Sequence, residues 1–177
     1  VLDACVAALD YQDLNALLPV PTDAQIAVWV RDRLAVPGIA SVGLQSTRDQ
    51  GVELDGAGQV RLWHRFRFEA AHRLPHVPEG HQCGRMHGHG FEVILHAAAG
   101  SADPALSLSG DRLAALWAPL GSEFHHACLN DIPGLENPTS ELLASWIWRR
   151  LACELPQLSW VSVYELSLIH ISQGIVR

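Results

Sequence analysis

The sequence predicts an α+β protein in which helices pack on one face of an antiparallel sheet. Three observations carry that expectation. Residues 60–68 alternate Val60, Leu62, His64, Phe66 and Phe68 with Arg61, Trp63, Arg65 and Arg67, the period of a strand with one buried face. The chain then reads as strand at 91–97, helix at about 109–126 and 139–153, and strand at 158–165, an order that gathers the helices on one side of a sheet. Finally, the first third of the chain repeats the last.

The repeat opens with Pro21-Thr22, followed by Ile26-Ala27, Trp29-Val30 and Arg33-Leu34. It recurs at a constant offset of 117 residues as Pro138-Thr139, Leu143-Ala144, Trp146-Ile147 and Arg150-Leu151. A Leu-Asn pair precedes each copy, at Leu14-Asn15 and Leu129-Asn130, and a strand-like run follows each, at Ser41–Leu44 and Ser159–Val163. In both copies a threonine stands where its hydroxyl can satisfy the free amides of a first helical turn, so 22–34 and 139–153 are expected helices. Residues 1–56 therefore read as the back half of one structural unit and 57–165 as a nearly complete second unit, with Asp55-Gly56-Ala57-Gly58 at the boundary. The chain starts at Val1, already inside an apolar helical pattern, and an upstream portion is expected to be missing. Between the two strands of the second unit, Pro75–Met86 holds two prolines and two glycines and is expected to be an irregular loop.

At 177 residues, 49% hydrophobic and 18% charged, the chain can bury a core of its own. A formal net charge of −7 without any basic run argues against nucleic acid and against an anionic membrane as partners, and in favour of a small molecule. No apolar stretch approaches the roughly 20 residues that cross a bilayer, and no secretory-type leader opens the chain, so the expected location is the cytoplasm. Cys5, Cys83, Cys128 and Cys153 form no CxxC pair and are expected to be reduced thiols.

The chemistry-bearing residues are histidines. His87 and His89 lie two apart at the start of a strand, so their imidazoles project from one face, and His72 at the end of the preceding strand can lie beside them. Three neutral imidazoles suit Zn²⁺, and three protein ligands leave a fourth position open, the pattern of a catalytic rather than a structural site. An isolated HxH is more often a pair of solvated side chains; the surrounding residues decide otherwise here.

Those residues are Phe68-Glu69-Ala70-Ala71-His72-Arg73-Leu74, His81-Gln82-Cys83-Gly84-Arg85-Met86-His87-Gly88-His89, the run Leu129-Asn130-Asp131-Ile132-Pro133-Gly134-Leu135-Glu136-Asn137-Pro138-Thr139-Ser140-Glu141, and Trp146-Ile147-Trp148. Together they resemble the signatures of the 6-pyruvoyltetrahydropterin and 6-carboxytetrahydropterin synthases over about residues 61–165. The resemblance implies the tunnelling fold, a unit of two strands, two helices and two strands whose copies close into a barrel, with homo-oligomers sharing active sites between subunits. It implies zinc on His72, His87 and His89, acting on the side chain of a pterin triphosphate. Cys83 matches the family's catalytic thiol, which as thiolate removes a proton from carbon. Glu165, after Val161 and Val163, matches the glutamate that accepts from the pterin's 2-amino and N3 groups. Thr139 matches a position lining the pterin pocket, although helix capping alone accounts for it.

The sequence also departs from the family. Its Asp-His pair, in the pattern D-H-x-x-L-N, aligns with His125-His126-Ala127-Cys128-Leu129-Asn130, so His126 keeps the proton-transfer position while His125 stands where the carboxylate is expected. An imidazole cannot supply that fixed negative charge. The first copy has Asp10-Tyr11 there, and Ser46 where the second has Glu165. All 12 basic side chains are arginine, a texture that breaks at Leu166–Ile171, and 166–177 are expected to be a non-native read-through tail that leaves the closing strand absent. The match through Leu129–Glu141 favours 6-carboxytetrahydropterin formation, with release of acetaldehyde and triphosphate in the queuosine pathway. The alternatives are 6-pyruvoyltetrahydropterin formation, which eliminates triphosphate alone, and a non-catalytic zinc-binding oligomerisation module.

Overall fold

The computed structural model describes residues 2–99 and 108–166, and the backbone of 171–176. The chain divides into two compact units, Val1–Trp63 with Ala97–Gly110, and His64–His96 with Asp111–Arg177. The division falls within a strand, the 13-residue Val60–His72, whose first four residues belong to the first unit.

The first unit holds helices α1 (Leu2–Ala7), α2 (Leu14–Leu17) and α3 (Asp23–Leu34), then strands β1 (Ser41–Thr47) and β2 (Gln50–Asp55), beside which the Val60–His72 strand, β3, begins. β1 and β2 form an antiparallel hairpin in register Val42 to Leu54 and Leu44 to Val52. α3 packs on that hairpin, with Ile26 and Ala27 buried alongside Val52 and Leu54. Gly51 in β2 is required by close approach: a Cβ there would lie 2.3 Å from the Leu44 carbonyl oxygen and 2.8 Å from the Trp63 ring.

The second unit carries β3 onward from His64, then β4 (His87–Ala98), α4 (Gly110–Phe124), α5 (Ser140–Leu151), β5 (Leu158–Leu166) and β6 (Ile171–Val176), with strands in the order β3-β4-β5-β6. Of the alternating inward set, Leu62 and Phe68 are buried while Val60, His64 and Phe66 are half-buried; Ala70 on β3 and Phe91, Val93 and Leu95 on β4 are buried as well. Phe68 is the hub, its ring centroid 5.0 Å from both Phe91 and Phe124. A phenylalanine buried this fully contributes about 1.5–3 kcal/mol over its exposed state, and this cluster fixes the end of β3 on which the site is built. α5 packs on the β5–β6 hairpin as α3 packs on β1–β2.

The repeat extends to atomic detail. α3 and α5 begin and end 117 residues apart, and Thr22 and Thr139 cap them identically, each hydroxyl accepting from the amide three residues on, at 3.3 Å in both. Tyr11 and His126, aligned upstream of the Leu-Asn pairs, both adopt left-handed backbone, at φ 54° and 61°.

The tail corrects one expectation. The closing strand is present: Ile171–Val176 pairs antiparallel with β5, Val161 to Val176 through Leu166 to Ile171. An unpaired strand edge offers a full ladder of donors and acceptors, and the extended run Ile171-Ser172-Gln173-Gly174-Ile175-Val176 suffices to fill it. His170 lies outside the described residues.

Candidate metal centre

β3 ends and β4 begins on the same patch of the second unit, bringing His72, His87 and His89 together as their strand positions predict. Ring centroids are 4.7 Å apart for His72 and His87, 5.3 Å for His72 and His89, and 4.8 Å for His87 and His89. With Glu165 from the end of β5, each residue offers one ligand atom, and these atoms all lie within 4.8 Å of one another.

Hydrogen bonds decide which ring nitrogen each histidine presents. A carbonyl oxygen only accepts, so His72 Nδ1 donates to the Pro138 carbonyl at 3.2 Å, and His87 Nδ1 donates to the Arg85 carbonyl at 2.7 Å. Both Nε2 atoms are thereby left as lone-pair donors. His72 is fully buried, and its Nε2 has no hydrogen-bond partner. Burial holds its proton affinity below that of an ordinary histidine, and His87 and His89 add to this, against the opposing pull of Glu165 and the Pro138 carbonyl. A buried neutral imidazole with an orphaned nitrogen among two others is the donor set a divalent metal requires, with ring orientation fixed by carbonyl partners behind. Such a group can hold a metal ion.

The centre opens on a cavity of about 1410 Å³ whose wall also includes Cys83, Arg85, His126 and Cys128. Cys83 sits half-buried in a 3₁₀ turn, Gln82–Gly84, inside the segment expected to be irregular. Its amide donates to His81 Nδ1 at 3.2 Å, and its carbonyl accepts from the Leu74 amide at 2.7 Å, which ties the turn to the end of β3.

His126 follows α4, anchored by its amide to the Glu69 carbonyl at 2.6 Å. His125 stacks on it, ring centroids 3.9 Å apart, and its Nδ1 accepts from the Glu69 amide. Glu69 Oε2 lies 3.6 Å from His126 Nε2, both side chains largely exposed. Glu69 and His81 escaped the sequence reading as site residues although both lie within quoted motifs. Their contacts run to residues whose proximity only the fold reveals.

Glu165 reaches the metal cluster itself, Oε1 3.0 Å from His89 Nε2 and Oε2 3.9 Å from His72 Nε2. Thr139 caps α5 with its hydroxyl and is not among the residues lining the cavity, while its neighbour Pro138 holds His72. Asn130 staples the site from below: its Oδ1 accepts from the Arg73 amide at 2.8 Å, and its Nδ2 donates to the carbonyls of Arg73 and Glu136 at 2.9 and 3.1 Å. In the same loop the Glu136 carboxylate accepts from the Gly134 amide, which holds its proton affinity below the usual carboxylate range.

Residues 61–170 match the family model for 6-pyruvoyl tetrahydropterin synthase, well over half of the chain. The chain belongs to the 6-pyruvoyl tetrahydropterin synthase family. A 6-carboxy-5,6,7,8-tetrahydropterin synthase from Synechocystis is 38% identical over 111 residues, covering 59% of this chain and 84% of that protein. Among solved structures, the Caenorhabditis elegans 6-pyruvoyl tetrahydropterin synthase aligns at TM-score 0.56 and 20% identity over 67% of this chain and 96% of its own. An uncharacterized protein from Wolinella succinogenes aligns at 0.54 and 16% over 66% and 96%. The family's architecture is therefore the tunnelling fold anticipated from the motifs. Among the described residues no helix is long and apolar enough to cross a membrane.

Proposed function

We propose that this chain converts 7,8-dihydroneopterin triphosphate and one water to 6-carboxy-5,6,7,8-tetrahydropterin, releasing acetaldehyde and triphosphate, as a cytoplasmic step of queuosine biosynthesis. The observation that carries the reading is the convergence of His72, His87 and His89 on a cavity that also holds Cys83 and His126. The three imidazoles hold Zn²⁺, whose ligand preferences they meet. Bound there, the ion supplies Lewis-acid polarisation of the substrate's side-chain oxygens and so acidifies the adjoining C–H bonds.

Cys83, as thiolate, takes the proton from carbon, its position fixed by the His81 cap and the Leu74 bond. His126 moves the second proton, with Glu69 beside it in the role that the family gives to an aspartate at position 125; His125 supports the ring by stacking. Glu165 accepts from the pterin's 2-amino and N3 groups, a two-point match selective for that ring. Thr139 sets the start of α5 and, through Pro138, the orientation of His72. Homo-oligomerisation completes the pocket, and residues 1–56 are the back half of a decayed copy of the same unit.

The test is incubation of the zinc-loaded protein with 7,8-dihydroneopterin triphosphate, measuring acetaldehyde and pterin products beside Cys83→Ala. Acetaldehyde from the parent alone establishes the lyase and the thiol's part in it. A pyruvoyl product without acetaldehyde assigns the chain to triphosphate elimination. Bound zinc with neither product leaves a non-catalytic module.

A further inference from the structure

We infer that Glu165 is a fourth, exchangeable ligand of the metal centre, and that a pterin ring engages this carboxylate only by drawing it off the metal. The inference rests on the proposed reading of three metal-holding histidines and a pterin-anchoring Glu165, and adds that the two duties compete.

Geometry places the carboxylate at ligand spacing. Zinc bonds of about 2.0–2.1 Å to nitrogen and oxygen, arranged tetrahedrally, set neighbouring ligand atoms roughly 3.3 Å apart. Glu165 Oε1 lies 3.0 Å from His89 Nε2, and Oε2 lies 3.9 Å from His72 Nε2. The second contact is telling. His72 spends its ring proton on Pro138, so its buried Nε2 faces the carboxylate as one acceptor facing another. A cation between them makes that juxtaposition favourable.

The strand explains how Glu165 arrives there. Val161 and Val163 are buried on one face of β5, and two residues on, the same face carries Glu165 into the cavity wall. Three imidazoles and a carboxylate close a four-coordinate site. Both oxygens face the histidine cluster, and accepting from both the 2-amino and N3 hydrogens of a pterin calls on the same inward-facing lone pairs, so the ring and the metal compete for the carboxylate. A seated ring therefore opens a coordination position just when a side chain has been brought to fill it, and an empty enzyme keeps its metal closed to other ligands.

Competition for one side chain is a coupling free energy, and it is reciprocal. The probe is 6,7-dimethylpterin, which has the ring edge that Glu165 would accept from and no side-chain oxygen to bind a metal. Zinc affinity is measured by competition with a chromophoric chelator, with and without saturating probe, in the parent and in Glu165→Gln; circular dichroism in EDTA confirms that the variant is folded. Probe binding is measured separately by fluorescence.

The expected result is that the probe weakens zinc binding several-fold in the parent, and that Glu165→Gln binds zinc about tenfold more weakly, with no further effect of the probe. In the parent loaded with Co²⁺, the visible absorption changes on addition of the probe, a readout that needs no substitution. Unchanged zinc affinity in Glu165→Gln, or no effect of bound probe on zinc in the parent, overturns the inference. If that variant loses the probe but keeps zinc, the anchoring role stands and the exchange fails. If the parent binds zinc but no probe, or probe but no zinc, the underlying reading fails with it.

Discussion

Replacing Asn130 with alanine removes three hydrogen bonds that tie the residue following His72 to the loop preceding α5. Each such bond contributes about 0.5–1.5 kcal/mol net, and water reaches these half-buried groups once the side chain is gone, so the expected cost is about 2 kcal/mol rather than the full sum. For a chain of this size that lowers the thermal midpoint by roughly 4–8 °C. Asn130→Asp separates geometry from bonding: it keeps the acceptor for the Arg73 amide, loses both donations, and turns a carboxylate toward two carbonyls, so it should cost as much as alanine. The assay is urea unfolding followed by tryptophan fluorescence, in EDTA so that metal binding does not contribute to the measured stability. A loss below about 0.5 kcal/mol in both variants would mean that the loop is held by its own turns, including the Glu136 bond to Gly134, and that Asn130 is not the staple.

Three further outcomes follow from the site. His72→Ala and His87→Ala abolish stoichiometric zinc binding, measured by metal analysis after dialysis, while His76→Ala retains it. In EDTA, stability falls as pH drops below about 6.5, because burial holds the His72 proton affinity under its unfolded value. The unfolded chain then protonates first, and the stabilisation present above that pH is lost toward the lower folded value; His72→Leu, measured by urea midpoints between pH 5 and 8, should flatten that dependence. Glu69→Gln lowers the acetaldehyde turnover while changing stability by less than about 0.5 kcal/mol, since a pair this exposed carries little folding energy.

What was legible in the sequence was whatever is carried by period and spacing. Two residues on a strand share a face, so His87 and His89 had to converge. The repeated Pro-Thr located two helix starts to the residue. Long-range substitutions left no such trace. Nothing in a histidine at position 125 says that Glu69, 57 residues before His126, lies beside it, because that contact exists only once the end of α4 lies against β3. The reach of Glu165 into the metal cluster was hidden likewise, since strand register gives the face a side chain occupies and not the atoms opposite. The closing strand, expected to be absent on the reading of 166–177 as a read-through tail, forms all the same, because ladder bonds are made by backbone whatever its side chains.

The left-handed residue that precedes each Leu-Asn pair separates what the backbone needs from what the chemistry needs. At His126 the φ of 61° invites the view that strain is held for catalysis, yet Tyr11 takes φ 54° in a place where its side chain is fully exposed. The bend is thus a property of how a helix is turned toward its Leu-Asn anchor, and the imidazole is a passenger on it. A scaffold whose sharp corner is maintained independently of its occupant can change the side chain at that corner without redrawing the path of the chain around it.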